Sequence, residues 1–223
     1  MQQPTSPRLP PTQDPAYHAA AMAHLRAADP VMARLVDAVG PTALRYEPDY
    51  FVALVSAILG QQISVRAASA IRARLAARCG PEGRYSPEAL LALTDDDLRA
   101  SGLSRAKAAY VADLAAKVAS GVVDLATIDE LPDEAVIERL TQIKGIGRWT
   151  AEMFLMFSLG RPDVLPVDDL GFRAAVRRHY GHAALPRAAA LRALAEPWRP
   201  YRTFATWYLW RSGSIDPRIG PEA

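Results

Sequence analysis

Two stretches of this 223-residue chain gather residue types that can do chemistry. One is Lys144-Gly145-Ile146-Gly147-Arg148. The other is the carboxylate pair Asp168-Asp169, which follows Pro166-Val167. The segment ending near Leu140 to Gln142 reads as a helix, and a second helix follows Gly147. Two glycines two apart allow backbone angles closed to other residues and leave no side chain to keep a ligand away. The N–H groups that open the second helix would point outward with the positive end of its dipole behind them, which suits a phosphate. Lys144 and Arg148 flank the turn and add charge, and Ile146 would anchor it by pointing into the core. Contacts of this kind grip a nucleic-acid backbone and not its bases, so binding would be sequence-independent and salt-sensitive. The competing reading is a plain helix connection with glycine as a C-cap.

The carboxylates give the second stretch its interest. Asp is a favoured N-cap, so one of the pair would do no more than cap the helix that starts here. Phosphates repel carboxylates, and a carboxylate near DNA needs a compensating reason. Stabilising a cation is one. Cleavage of a nucleotide's glycosidic bond passes through an oxocarbenium-like sugar, whose charge a nearby carboxylate stabilises while orienting or deprotonating water. A base removed in this way must first leave the stack and be held, which calls for aromatic platforms. Trp149 follows the Gly145 turn directly. Trp198, Tyr201, Phe204, Trp207, Tyr208 and Trp210 crowd the C-terminal segment, where helical spacing makes most of them core. His179 and His182 read as solvated surface residues, so no general acid stands out.

The elements that must position these groups read as helices throughout. Asp29, Asp49, Ser64 and Ser104 sit where N-caps belong, Ser86-Pro87-Glu88 opens a short helix, and Thr94 with Asp97 forms a capping-box pattern. These signals predict helices over about 17–28, 30–39, 50–59, 65–78, 105–120, 169–180, 187–195 and 200–212, with shorter ones between. Phe51, Leu54, Val55 and Ile58 make an apolar stripe at helical spacing. No segment alternates polar and apolar residues long enough to be a strand. The fold class is all-α. Between two apolar helices lies Gly60-Gln61-Gln62-Ile63, either an interhelical turn or a loop that reaches into a duplex. Residues 1–15 hold five prolines among polar residues and read as a disordered tail, with one domain over 16–223.

Composition narrows the function classes. Half the residues are apolar, with no run near the roughly 18–20 residues that a membrane span needs. The first residues carry early prolines and no basic start followed by an apolar run, so they do not read as a secretory signal and the cytoplasm is the expected location. Cys79 is the one cysteine, which rules out an internal disulfide and a four-cysteine metal or iron–sulfur site. Residues 1–139 carry 14 Lys and Arg against 17 Asp and Glu, whereas residues 140–223 carry 12 against 7. The basic excess thus begins at the glycine turn, as a phosphate-facing half requires. The preponderance of Arg over Lys, 23 to 3, is equally what a nucleotide-composition bias in the gene would leave.

Gly145-Ile146-Gly147-Arg148-Trp149-Thr150-Ala151 and Leu165-Pro166-Val167-Asp168-Asp169-Leu170-Gly171 together resemble the helix-hairpin-helix DNA glycosylases, nearest to the DNA-3-methyladenine glycosylase II (alkylation-repair) branch. Ala57-Ile58-Leu59-Gly60-Gln61-Gln62-Ile63-Ser64 and the segment from Trp198 to Trp210 agree, and the likeness covers about residues 25–215. It implies two helical lobes, about 50–161 and 16–49 plus 162–223, with a cleft between them. It makes Asp169 the catalytic carboxylate and leaves Asp168 as the cap. It assigns Trp149, Met153 and Trp210 to the base pocket, and Lys144, Gly145, Ile146, Gly147, Arg148 and Thr150 to DNA binding. Gln61, Gln62 and Ile63 become the wedge that fills the gap left by a flipped nucleotide. It also implies that the carbonyls of Thr141, Ile143 and Ile146 hold a monovalent cation, with no other cofactor. Trp149 stands where the strand-cleaving members carry a nucleophilic lysine, so no lyase activity is expected. The expected activity is hydrolytic release of bases of the 3-methyladenine and 7-methylguanine type from double-stranded DNA by a monomer. The rival is a non-catalytic DNA-binding module that uses the hairpin alone.

Overall fold

A computed structural model describes residues 14–42, 44–80 and 83–213. Twelve α-helices are present among them and no strand. They are α1 Pro15–Ala28, α2 Pro30–Val39, α3 Tyr50–Gly60, α4 Val65–Ala76, α5 Pro87–Leu91, α6 Asp95–Ala100, α7 Arg105–Ala119, α8 Asp133–Thr141, α9 Arg148–Phe157, α10 Leu170–His179, α11 Ala188–Leu194 and α12 Arg202–Ser212. The expected caps form: Asp29, Asp49, Ser64, Ser86 and Ser104 each accept from a first-turn amide, and Thr94 with Asp97 closes a capping box. The expected tail reaches two residues too far. Asp14 caps α1, accepting from Ala16 N–H at 2.8 Å, and Pro15 is its first residue, a position that needs no amide hydrogen. Residues 1–13 of that tail lie outside the described residues. Two 3-10 turns, Ile128–Glu130 and Glu196–Trp198, carry no mark in the sequence reading.

The chain divides into two compact units. One is Glu47–Ser158. The other is built from the described residues of Met1–Tyr46 and Leu159–Ala223. In the second, α1 packs on α2, α12 on α2, and α10 on α12. Its core holds Leu25, Met32, Leu35, Phe172, Trp198, Phe204 and Tyr208, and each such side chain contributes roughly 1.5–3 kcal/mol by leaving water. Asp29 lies buried in this core. Its Oδ1 caps α2, and its Oδ2 accepts from the Tyr180 hydroxyl at 2.6 Å and from Trp198 Nε1 at 2.9 Å. Four donors satisfy the buried carboxylate, and burial beside Asp29 pushes the Tyr180 hydroxyl up. In the Glu47–Ser158 unit, α3 packs on α4, α7 and α9, α5 on α7, and α8 on α9. No described helix is long and apolar enough to cross a membrane.

Candidate functional site

The glycine turn forms between α8 and α9. Ile143 N–H bonds back to Leu140 O, and Ile146 N–H to Ile143 O. Both isoleucine side chains are buried, which anchors the turn as expected. The two glycines differ. Gly145 has φ +81, and a Cβ there would lie 2.2 Å from the Tyr110 ring. Gly147 has φ −96 and ψ 175, extended backbone open to any residue, and a Cβ there meets nothing within 4 Å. The expectation that both glycines supply special angles holds for Gly145 only. Gly147 is the N-cap of α9, and no side-chain cap closes this helix. Its first-turn amides therefore face whatever approaches from beyond the N-terminus, and the empty volume beside Gly147 leaves room for it.

Support for the turn comes from α7. Asp113 Oδ2 accepts from Lys144 N–H at 2.8 Å and from Lys117 Nζ at 2.6 Å, and Lys117 Nζ also donates to Gln142 O at 2.7 Å. Desolvation opposes the ionised form of Asp113, but these donors outweigh it and hold its carboxyl below the ordinary value. Lys144 itself is exposed. Arg148 donates to both carboxylate oxygens of Glu134 and, through Nε at 3.1 Å, to the buried Glu152. Thr150 is buried, so its part in the turn's outer face is limited to its backbone.

The Gln61 turn belongs to the same unit. Gln61 ends α3, and its Nε2 donates to Gly145 O at 2.8 Å. Gln62 has φ +57, the one described non-glycine residue with positive φ, and it is exposed. Ile63 and Val65 beside it are exposed apolar residues.

Asp169 sits in the other unit. The loop that delivers it is clamped to the start of α12: Asp163 takes Arg202 in a two-pronged pair at 2.6 and 2.9 Å, and Thr203 N–H bonds Pro162 O. Asp169 N–H then bonds Pro166 O, and α10 begins. Asp169 is itself the N-cap, with Oδ1 accepting from Phe172 N–H at 2.5 Å. This corrects the assignment of the cap to Asp168, which is exposed one residue too early to reach those amides. The same Oδ1 accepts from Trp210 Nε1 at 2.8 Å. A Cβ at residue 171 would stand 3.2 Å from Oδ1 and 3.5 Å from the indole, so glycine lets the two meet. Gly171 in a helix's first turn, where glycine is disfavoured, was the available signal. One oxygen of Asp169 is thus fixed by a helix amide and an indole, which sets the plane of the whole carboxylate.

Of the aromatics, Trp198, Phe204 and Tyr208 are core, as their spacing predicts. Trp149 is 45% exposed, and Met153 and Trp210 are half-buried. His179 is not the solvated residue expected. It is buried, its Nε2 hydrogen-bonded with Ser212 Oγ at 2.7 Å, because its turn of α10 faces α12.

Comparison with known proteins fits this geometry. Residues 55–200 match the family model described as HhH-GPD superfamily base excision DNA repair protein. DNA-3-methyladenine glycosylase 1 of Schizosaccharomyces pombe is 35% identical over 196 residues, 86% of each chain. The alkylbase DNA glycosidase-like protein mag2 of the same organism is 30% identical over 84% of this chain and 90% of its own. Among solved structures, the S. pombe 3-methyladenine DNA glycosylase in complex with abasic DNA superposes with a TM-score of 0.79 at 34% identity, covering 91% of this chain and all of that one. A DNA-3-methyladenine glycosidase from Bacillus halodurans gives 0.77 at 37%, covering 90% of each. The chain belongs to the HhH-GPD superfamily of base excision DNA repair proteins, and its fold is that of the helix-hairpin-helix DNA glycosylases.

Proposed function

We propose that this protein is a monofunctional DNA glycosylase of the 3-methyladenine type, which hydrolyses the N-glycosidic bond of alkylated bases in base excision repair. The observation that carries this reading is the Asp169 carboxylate, held on one oxygen by Phe172 N–H and by Trp210 Nε1. A carboxylate fixed in this way does not reorganise as positive charge grows on the deoxyribose, which is the condition for strong electrostatic stabilisation. It also orients the attacking water. Alkylation at N3 or N7 leaves the purine cationic and already a good leaving group, so little acid catalysis is needed.

Roles for the remaining residues follow. The open N-terminus of α9, with Gly145, Ile146 and Gly147 before it, holds a phosphate of the duplex. Lys144 adds a mobile positive charge, and Thr150 contributes through its backbone. Arg148 joins them by exchanging Glu134 for phosphate, an exchange that costs little because surface pairs are worth roughly 0–1 kcal/mol. Gln62 and Ile63 enter the gap left by the extruded nucleotide. Trp149, Met153 and Trp210 are the side chains that meet the base, and stacking of a cationic purine on electron-rich indole contributes roughly 0.5–2 kcal/mol. The carbonyls of Thr141, Ile143 and Ile146 are hard oxygen donors without a carboxylate among them, which suits a monovalent cation. Ile143 O takes one hydrogen bond, from Ile146 N–H, and a carbonyl has two lone pairs. Binding is sequence-independent, the working unit is a monomer, and the site of action is cytoplasmic. With Trp149 in the place of a lysine nucleophile, the strand stays whole.

Incubation with duplex DNA carrying methylated purines tests the reading. Free methylated base and an uncut strand containing an abasic site are expected. Binding without release of any alkylated base would support the module that grips DNA and does no chemistry.

A further inference from the structure

The resemblance counts Gln61 with Gln62 and Ile63 in the wedge, yet the Gln61 side chain is used inside the protein. We propose that Gln61 is a latch that fixes the distance between the Gln62 turn and the phosphate-gripping hairpin, and so couples grip to base extrusion. The inference rests on the glycosylase reading above. Its first support is the direct bond, Gln61 Nε2 to Gly145 O at 2.8 Å, across 84 residues of chain. Gly145 is the hairpin residue with positive φ, and its carbonyl direction is set by that angle and by the Tyr110 ring packed against it.

The second support is a shared scaffold. Lys107, Tyr110, Asp113 and Lys117 follow one another at helical spacing on one face of α7. Lys107 Nζ donates to Leu59 O and Gln61 O, both at 2.7 Å, and so holds the end of α3. Burial lowers the Lys107 ammonium below its ordinary value, and the two carbonyls are its compensation. Further along, Asp113 and Lys117 hold Lys144 and Gln142. One rigid helix therefore carries the turn at one end and the hairpin at the other, and the Gln61 amide closes the circuit.

The third support is Gln62. Its φ of +57 is a conformation that non-glycine residues rarely keep unless their neighbours over-determine it. Gln61 on one side, bonded through both its backbone and its side chain, supplies that constraint. A phosphate seated at the hairpin and a side chain inserted into the stack must be a fixed distance apart for one nucleotide to leave. The latch sets that distance, and makes Gln61 a positioning residue with no DNA contact of its own.

The test uses the full chain with Gln61→Met, which keeps length and loses the donor, and Gln61→Asn, which keeps the amide one methylene short. Duplexes carry one methylated purine and a fluorescent purine analogue beside it, whose signal reports unstacking without chemistry. Both variants should bind undamaged duplex with unchanged affinity and salt dependence. Both should lose about five- to tenfold in unstacking and in single-turnover base release, the worth of one ordinary hydrogen bond. In a Gln62→Ala background, Gln61→Met should cause no further loss. A fall in undamaged-duplex affinity with a shallower salt slope would make Gln61 a DNA contact and overturn the latch. Additive losses in the double variant, or wild type that binds without unstacking, would overturn it too. Wild type that unstacks DNA but releases no base refutes the glycosylase reading and leaves the latch standing.

Discussion

The hairpin of the Glu47–Ser158 unit and the Asp169 station of the other unit solve opposite problems. In the proposed reading the hairpin presents backbone to a phosphate, and side chains from α7 stand behind it. Asp169 presents a side chain, and a backbone amide and an indole stand behind it. A surface made of backbone depends on what its residues lack, so its sensitive position is a glycine. A station made of one side chain depends on what holds that group still, so its sensitive positions are the carboxylate and its donors.

The largest effect on stability should come from Gly145→Ala. Alanine at φ +81 costs about 1–2 kcal/mol, and pushing Tyr110 aside adds about 1–3 kcal/mol. A loss of about 2–5 kcal/mol in denaturant unfolding is expected. A neutral result would show that the Tyr110 contact yields freely and that the hairpin is not rigidly seated. Next comes Trp210→Phe, which keeps an aromatic ring and removes the donor to Oδ1. Single-turnover base release should fall about five- to tenfold with little change in duplex affinity. If affinity falls and the rate at saturation does not, Trp210 acts as a platform and not as a clamp.

Acid separates the two regions by a different route. Burial, then the nearby Arg178 and Arg34, lower the His179 imidazole below its ordinary 6.5. Between that lowered value and 6.5 the unfolded chain binds more protons. The stability His179 contributes is therefore complete above pH 6.5 and is lost as pH falls towards its folded value. Asp113 is depressed below 3.8, so its contribution to the hairpin is complete above pH 3.8 and is lost only as pH falls further. Acid titration of unfolding should show the first decline below pH 6.5, and His179→Gln should flatten it. The smallest stability effect should come from Gly147→Ala, within about 0.5 kcal/mol of wild type, because its angles are ordinary and its surroundings empty. Its signature is weaker duplex binding alone. An equal loss of stability at Gly145 and Gly147 would erase the distinction between a glycine kept for the fold and one kept for the ligand.

Legibility followed range. Caps such as Asp49 and Thr94 were readable because a cap and its target amide lie within a few residues of each other. The Asp168-Asp169 pair was readable as a candidate site at a helix start, but only the resemblance pointed to Asp169 within it, and the role of cap, which Asp169 fills, was misassigned to Asp168. What the sequence hid was long-range. Nothing local tells that Tyr110 lies under Gly145, that Lys107 closes the end of α3, or that Arg148 is matched by Glu134 and a buried Glu152. His179 was misread for the same reason: polar at a helix end suggests solvent, and only the packing of α10 on α12 shows its hydrogen bond with Ser212.

The claim that Asp169 is the reactive group has a direct test in Asp169→Asn. Asparagine is as good an N-cap, so α10 should remain formed and undamaged duplex should bind as before. Single-turnover release of 7-methylguanine should fall by ~10²–10³, the range for removing one preorganised electrostatic group. Release at the wild-type rate by a folded, DNA-binding Asp169→Asn protein would contradict the account.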